Sequence, residues 1–466
     1  MPNKVKLKIC RMEKATMKKK LSPAILIVSK LLIPVLFFPP HTVPAQQSSA
    51  ALTLKDAFVL VKKNNLNLKQ FKTAMRQAQL ETGMQKTGYL PTVATAASYN
   101  YISELAKLEV PLSLPGISIP PIEAGVKNQY DFAILVKQPL FTGFRTKNLI
   151  RSAEAKEMAN IGEKEILLNK LYLQTGRLFY SIQLNRYQRK ALQQSVRRAD
   201  FQLEKARNLL QAQQLTRFDT LQVANRKLIL QTQILRLQHV EEILLSKLRF
   251  LLNTDTPTEI QLIRLQQVNL TLEDLSTYLR IARENRPELR KLLALKDARS
   301  FSAKAVRSIQ FPQIFASATY HYARPGVNFF KDEWMNYFTA GVNLQWEIWN
   351  WRRTKRQTEQ VKLGIRQIEL QNQQMMKNIE QEIEEACKYL IATKEQIVLQ
   401  KKIVAQEKER YCMVSQKFEQ GMATSLDISD AEKKLTEAEL LLQKDYVEWR
   451  RYQLQLDYAT GLIGKK

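Results

Sequence analysis

The sequence is poor in residues that break helices. Its 466 residues include only 13 Gly and 16 Pro, and no proline occurs from Phe141 to Asp255 or after Pro325. Proline interrupts helix interiors, whereas tracts rich in Gln, Leu, Lys, Arg, Glu and Ala favour helices. The two proline-free tracts are therefore predicted to hold very long helices.

Cysteine and histidine are also scarce. Cys387 and Cys412 lie 25 residues apart on one predicted helix, a separation of about 37 Å that no disulfide can bridge. His41, His239 and His321 lack the spacing of metal ligands. The sequence has no nucleophile paired with a base and no phosphate-binding Gly-rich loop. It therefore predicts no metal site, no cofactor and no enzyme.

Long apolar runs are absent after residue 45, where no segment has the 18 successive apolar residues of a transmembrane helix. The N-terminus has the features of a secretory signal. Three lysines at 18–20 precede an apolar stretch at 24–38, and Val43-Pro44-Ala45 offers a cleavage site before Gln46. A membrane anchor is the alternative, but Lys30 interrupts the stretch. Residues 1–45 are predicted to be a signal peptide.

Acidic residues are outnumbered, since 72 Lys and Arg face 44 Asp and Glu and give a net charge of +28. Residues 1–45 carry nine Lys or Arg and one Glu, so the rest of the chain keeps +20. Such charge is typical of nucleic-acid binding. Secretion and the even spread of the basic residues along the helical tracts argue instead for solvated helix faces, and no nucleic-acid partner is expected.

The chain contains an internal repeat. Residues 54–101 align with 275–322 at a constant offset of 221, and further on Thr216-x-x-Asp219 meets Thr424-x-x-Asp427 at an offset of 208. The repeats are assigned to 46–270 and 271–466. Each has a helix, two strands, a very long helix and a last helix. They are predicted at 52–88, 91–101, 130–140, 143–212 and 217–252, and at 272–308, 312–322, 337–348, 351–420 and 425–462.

The four strands each have one apolar face, because side chains alternate across a strand. In the fourth, Phe338, Val342 and Leu344 oppose Thr339 and Asn343. About ten residues suit a tilted bilayer crossing, although a soluble sandwich with one wet face is the alternative. Four strands cannot close a barrel, and open edges cannot face lipid, so several protomers must share one barrel.

Aromatic residues cluster where the strands pass into the long helices. Such a cluster is typical of a membrane interface. It consists of Phe141, Phe144, Trp346, Trp349 and Trp351.

The helical tracts predict a coiled coil. A helix of 70 residues would be about 105 Å long, and Leu192, Val196, Ala199 and Leu203 repeat with the spacing of a coiled-coil seam.

The tips of the long helices carry candidate pore residues. Thr216 and Thr424 each precede an Asp by three residues, which is the pattern of a capping box, and Gly421 supplies a turn. One interpretation of Asp219 and Asp427 is that they only cap the helices. The second interpretation is a ring of carboxylates around a pore entrance, because Asp430 lies on the same helix face as Asp427.

Several motifs together resemble the TolC-like outer-membrane efflux proteins, or outer membrane factors, over essentially the whole chain after the signal. The matching residues are Asn64 and Asn285, Tyr89-Leu-Pro91, Phe311-Pro312, Gln138-Pro-Leu-Phe-Thr-Gly143, and Gly421-x-x-Thr-Ser-Leu-Asp427-Ile-Ser-Asp430-Ala431.

The resemblance implies a homotrimer with a 12-stranded barrel in outer-membrane lipid, four strands per protomer, and a coiled-coil tunnel through the periplasm. It implies a passive, gated exit duct of a tripartite efflux or type I secretion system, with a periplasmic adaptor (membrane fusion protein) and an inner-membrane pump as partners. It also implies that Asp427 and Asp430 narrow the entrance. The latch positions of the family hold Ala423 and Phe418, so a lock must use other groups, and Arg217 is a candidate.

The alternative is a periplasmic coiled-coil structural or adaptor protein without a pore. An adaptor needs Gly-rich lipoyl-like halves, which the sequence lacks. A structural coiled coil leaves the four two-faced strands unexplained.

The charge of the chain predicts the ion preference of such a duct. If the +20 charge faces the lumen, anions are favoured electrostatically. A reversal potential measured across a planar bilayer under a salt gradient is expected to show anion preference, and cation preference would contradict it.

Overall fold

A computed structural model describes residues 51–108, 122–254, 260–261, 263 and 272–465. The predicted signal peptide lies outside these residues. The helices are α1 (Leu54–Asn64), α2 (Leu66–Thr87), α3 (Arg145–Gln211), α4 (Arg217–Leu252), α5 (Leu275–Asn285), α6 (Pro287–Arg307), α7 (Arg353–Glu419) and α8 (Ser425–Ala459). The strands are β1 (Thr92–Tyr101), β2 (Ala106–Leu108), β3 (Ile122–Ala124), β4 (Asn128–Phe141), β5 (Gln313–Arg324) and β6 (Met335–Gln345).

Helices dominate, and α3 and α7 each have 67 residues, or about 100 Å of helix. They begin and end within two residues of the predicted tracts at 143–212 and 351–420. Among the described residues, no helix combines the length and apolar character needed to cross a membrane.

The structure divides each helix that was predicted to precede the strands. At 52–88 the break is Asn65, whose side chain accepts from the Asn67 amide at 3.0 Å and so caps α2. At 272–308 the break is Arg286, which precedes Pro287 at the first position of α6. A residue before proline is biased away from helical geometry. Both segments were predicted to be continuous helices, and the structure corrects this.

The sheet contains four antiparallel strands in the order β1-β4-β5-β6. The pairing puts Val93 opposite Val136, Ile134 opposite Tyr320, and Tyr320 opposite Phe338. Strand β6 ends at Gln345, whereas the fourth strand was predicted to run to Ile348, so Trp346 and Ile348 both lie beyond the strand. Strands β2 and β3, which lie between β1 and β4 in the chain, pair with each other in a separate two-stranded antiparallel sheet.

Left-handed backbone turns join the strands to the long helices. After β4, Gly143 and Phe144 have φ of 60° and 68°, and before α7 Trp351 and Arg352 have φ of 52° and 64°. A Cβ at Gly143 would stand 2.7 Å from the Ser308 carbonyl oxygen, so this turn requires glycine.

The main core lies where α1, α3, α4, α7 and α8 meet. Its largest fully buried side chains include Phe179 and Ile182 of α3, Leu248 of α4, Ile383 of α7 and Trp449 of α8. Helix α3 packs against α2, α4, α6 and α8 and is therefore buried on several sides.

Candidate channel elements

The sheet has two chemically different faces, since residues directly opposite each other share a face. Large apolar side chains occupy one face, and all are exposed in the single protomer. They include Val93, Tyr99, Phe132, Ile134, Tyr320, Phe338, Val342 and Leu344.

The other face of the sheet is polar. His321 Nδ1 lies 3.1 Å from both carboxylate oxygens of Asp131, and the Asn343 amide donates to Ser317 Oγ at 3.0 Å. The Lys137 ammonium lies 4.3 Å from the centre of the Phe315 ring. This arrangement suits a sheet with lipid on one side and water on the other.

The two outer strands lack a second partner. Within the described residues, β1 pairs only with β4 and β6 only with β5. Each outer strand therefore presents a row of backbone N–H and C=O groups that another chain could pair with.

The aromatic residues gather where the strands meet the long helices. Phe141 and Phe144 stack edge to face with centroids 5.4 Å apart, and Trp349 and Trp351 do the same at 5.8 Å. Trp346 Nε1 donates to the Gln310 carbonyl oxygen at 3.0 Å. These polar and ring contacts fix an aromatic belt, and Trp351 is 80% exposed.

Both tips of the long helical hairpins form capping boxes. The Asp219 amide donates to Thr216 Oγ1 and the Thr216 amide donates to Asp219 Oδ2, at 3.3 and 3.0 Å. Thr424 and Asp427 repeat this geometry at 3.2 and 2.9 Å. Gly421 has φ of +72°, which completes the turn before Thr424. Capping therefore uses one carboxylate oxygen of each Asp.

Asp430 is held by cations of its own protomer. Arg410 Nη1 lies 3.4 Å and Lys434 Nζ 3.6 Å from Asp430 Oδ2. Asp427 forms no ion pair among the described residues. Of the two acids that the sequence grouped together, Asp427 therefore carries the less compensated charge.

Ser425, at the start of α8, joins the α7–α8 tip to the α3–α4 tip. It was not among the predicted site residues. Its hydroxyl donates to Asp219 Oδ1 at 2.6 Å, while Asp219 Oδ2 serves the cap. Arg217, the sequence candidate for a lock, forms no ion pair among the described residues. Phe418 is instead buried in an apolar cluster with Val223 and Ile428. Ser425 follows a cap threonine, but no sequence signal pairs it with a residue 206 positions away.

These hydrogen bonds lower the pKa values of the two cap acids. Ser425, followed by Thr216, lowers the pKa of Asp219, and Thr424 lowers that of Asp427. The ionised aspartates therefore stabilise the folded state fully at pH values above the ordinary Asp pKa of about 4. This stabilisation is lost as the pH falls through the lowered pKa of the folded state. The Ser425–Asp219 link therefore persists at neutral and mildly acidic pH.

A buried ion cluster further along the helices was also missed. Glu432 of α8 is fully buried, and Arg226 Nε of α4 lies 2.8 Å and Arg198 Nη2 of α3 3.5 Å from its carboxylate. Thr436 donates to Glu432 at 2.5 Å. A buried charge requires partners, so this cluster fixes α8 against α3 and α4.

Two helices carry exposed apolar residues at seven-residue spacing. On α4 these are Leu221, Leu228 and Leu235, while Val223 and Leu230 are buried against α3. On α7 they form two pairs, Leu363 with Leu370 and Ile391 with Val398, and the charged residues Lys377 and Glu384 occupy the two positions between the pairs. A seven-residue apolar repeat is a coiled-coil seam, and these two have no partner helix within the described protomer.

The sequence and the fold each match known proteins. Residues 58–254 and 278–462 match the family described as outer membrane efflux protein. No curated protein sequence matches the chain.

Three solved channels illustrate the structural similarity. CusC superposes with a TM-score of 0.73 at 16% identity, over 88% of this chain and 92% of that one. The CmeC outer membrane channel of Campylobacter jejuni gives 0.69 at 15%, over 93% and 94%. The outer membrane protein VceC of Vibrio cholerae gives 0.69 at 13%, over 88% and 96%. At such identities the similarity establishes the fold.

Replacement of Ser425 tests the link between the tips. A hydrogen bond to a charged group contributes about 1.5 kcal/mol, so Ser425→Ala is expected to speed amide exchange at the start of α8 about tenfold. Hydrogen exchange with mass spectrometry of peptides spanning 425–432 measures it. Ser429→Ala is the control, since Ser429 Oγ is buried without a hydrogen-bond partner among the described residues. Equal effects of the two variants would contradict the link.

Proposed function

Because the chain belongs to the outer membrane efflux protein family, we propose that three copies form a passive, gated duct across the outer membrane. The sheets of the trimer form a 12-stranded barrel in lipid, and the long helices form a tunnel in the periplasm. The observation that carries this proposal is the pair of unpartnered edges on each protomer.

The first of these, the β1 edge, consists of β1, α2 and α4. Helix α2 leads into β1, and the Asn65 side chain before α2 donates to the Leu251 carbonyl oxygen in α4 at 3.0 Å. The second, the β6 edge, consists of β6 and α7, which follow each other in the chain. Each edge thus combines an open strand with an exposed apolar seam.

Contact between unlike edges supports a ring. If the β1 edge of one protomer meets the β6 edge of the next, strand pairs with strand and the α4 seam packs on the α7 seam. Such a heterologous contact closes when the rotation between neighbours fits a whole number of copies. Closure satisfies every strand edge in lipid, and three copies of four strands give the twelve that the family resemblance implies.

The order of elements supports an internal duplication. α1, α2, β1, β4, α3 and α4 correspond to α5, α6, β5, β6, α7 and α8, and the lengths agree within two residues for the helices. We assign the repeats to 46–270 and 271–466, after a signal peptide at 1–45.

The entrance lies at the helix tips in this proposal. Asp427, with Asp430 one turn beyond it, places carboxylates at the start of α8. The Ser425–Asp219 hydrogen bond joins this tip to the α3–α4 tip and replaces the latch for which Ala423 and Phe418 are unsuited. Opening then requires the Ser425–Asp219 bond to break, while the buried Glu432 cluster keeps the helices aligned behind it.

Its proposed partners are those that the family resemblance implies, a periplasmic adaptor and an inner-membrane pump, in efflux or type I secretion. Met422 and Leu426 are exposed beside the tip turn. These two side chains lie where an adaptor that docks on the helix tips would contact the protein.

Negative charge introduced into the α4 seam by mutation is expected to prevent the protomers from assembling into a trimer. Leu228→Asp with Leu235→Asp would bury two carboxylates against the neighbour, which costs several kcal/mol. The mass of the detergent-solubilised protein should fall from trimer to monomer. Gln233→Asp, exposed elsewhere on α4, should leave a trimer. A trimer in the double variant would contradict the seam.

Removal of the tip charge is expected to raise the resting conductance in planar bilayers. Asp427→Ala with Asp430→Ala removes both carboxylates, and Asp430→Asn alone removes charge without touching a cap. Asp56→Ala is the matched control, because Asp56 forms the same capping box with Thr53 at the start of α1. Unchanged conductance in the double variant, or an equal rise in Asp56→Ala, would leave Asp427 with its capping role alone and Asp430 with its ion pairs to Arg410 and Lys434 alone.

A further inference from the structure

A basic pocket lies between α6 and α7, next to the aromatic belt. Its lining includes Lys304, Arg307 and Gln310 on one side and Lys355, Glu359 and Lys362 on the other, around a volume of about 640 Å³. Four cations therefore surround one carboxylate.

The cations of this pocket are uncompensated. Among the described residues, Lys304, Arg307, Lys355 and Lys362 form no ion pair. Nearby cations do find partners, since Arg353 lies 2.6 Å from Glu347 and Lys296 lies 3.0 Å from Glu369. A concave site with excess positive charge concentrates field and attracts an anion.

The position of the pocket identifies the kind of anion. Gln310 lines the pocket, and its carbonyl oxygen accepts the hydrogen bond from Trp346, which follows the apolar-faced strand β6. Lys355 lies in the first turn of α7, which begins two residues after Trp351. The cations thus lie beside the aromatic belt, at the depth where lipid headgroups begin.

The surroundings favour an anion that carries an apolar tail. Trp346, Ile348 and Trp349 are each more than half exposed, and Trp346 is joined to the pocket by its hydrogen bond to Gln310. A free phosphate would contact only the cations, whereas a phospholipid would contact the cations with its phosphate and the belt with its acyl chains.

We propose that this pocket binds the headgroup phosphate of an anionic phospholipid from the periplasmic leaflet of the outer membrane. Arg307 donates to phosphate oxygens, and the three lysines supply charge around it. The proposal rests on the membrane position given under the proposed function. Cations that bind lipid do not face the lumen, so these four would not contribute to the ion preference of the duct.

Binding of defined lipids to the delipidated trimer tests the proposal. Native mass spectrometry is expected to detect phosphatidylglycerol bound in preference to phosphatidylethanolamine. Each surface cation contributes about fivefold in affinity for anionic lipid, so Arg307→Gln with Lys355→Gln should weaken phosphatidylglycerol binding about 25-fold. Lys402→Gln with Lys408→Gln is the control, because both lysines are exposed on α7 far from the belt, and it should bind as the parent does.

The remaining outcomes separate the sources of phosphate and the two proposals. Inorganic phosphate in excess should not displace the lipid, and a pocket that retains phosphate as well as it retains lipid would overturn lipid binding. Equal binding of both lipids, or equal losses in the two double variants, would overturn it too. Bilayer conductance of the same samples reports the duct separately: a conducting trimer without lipid preference refutes only the pocket, whereas a protein without conductance refutes the duct.

Discussion

An open strand edge cannot face lipid, because each unpaired N–H and C=O group there costs several kcal/mol. This constraint connects the parts of the molecule. The sheet has two such edges, and the helices assigned to them, α4 and α7, carry exposed apolar residues at seven-residue spacing that have no partner helix among the described residues. Pairing of the edges with neighbouring copies explains three exposed features together: the apolar outer face, the aromatic belt and the apolar seams. In an isolated protomer they would all be exposed.

The helix tips combine two requirements in the same side chains. A helix start leaves amide groups without partners, and Thr216 with Asp219 and Thr424 with Asp427 satisfy some of them. Capping uses one oxygen of each carboxylate and leaves the other available. In Asp219 that second oxygen accepts the Ser425 hydroxyl, so the cap of one hairpin also orients the next.

Buried and exposed charged residues of this basic protein differ in whether they have partners of opposite charge. Inside the helical layer the charges are matched, as in Glu432 with Arg198 and Arg226, or Glu241 with Arg186 and Arg189. Arg286 is held in the same way by Glu288 and Glu382. The surplus of positive charge lies on the surface, where solvent screens it or a ligand can use it. Net charge alone therefore says little about what the lumen presents to a solute.

The sequence by itself determined the mainly helical fold with a few strands, the long proline-free helices and the family, because helix propensity, strand alternation and motif order are local or ordered properties of the chain. Tertiary structure alone decided the breaks at Asn65 and Arg286, the Ser425–Asp219 bond and the ion cluster around Glu432. It also decided that Asp430 forms ion pairs, whereas Asp427 forms none among the described residues. These features join residues up to 234 positions apart, and their contacts depend on how helices pack side by side. A local sequence pattern does not determine that packing, because the same amphipathic spacing allows a helix to pack against many different helices.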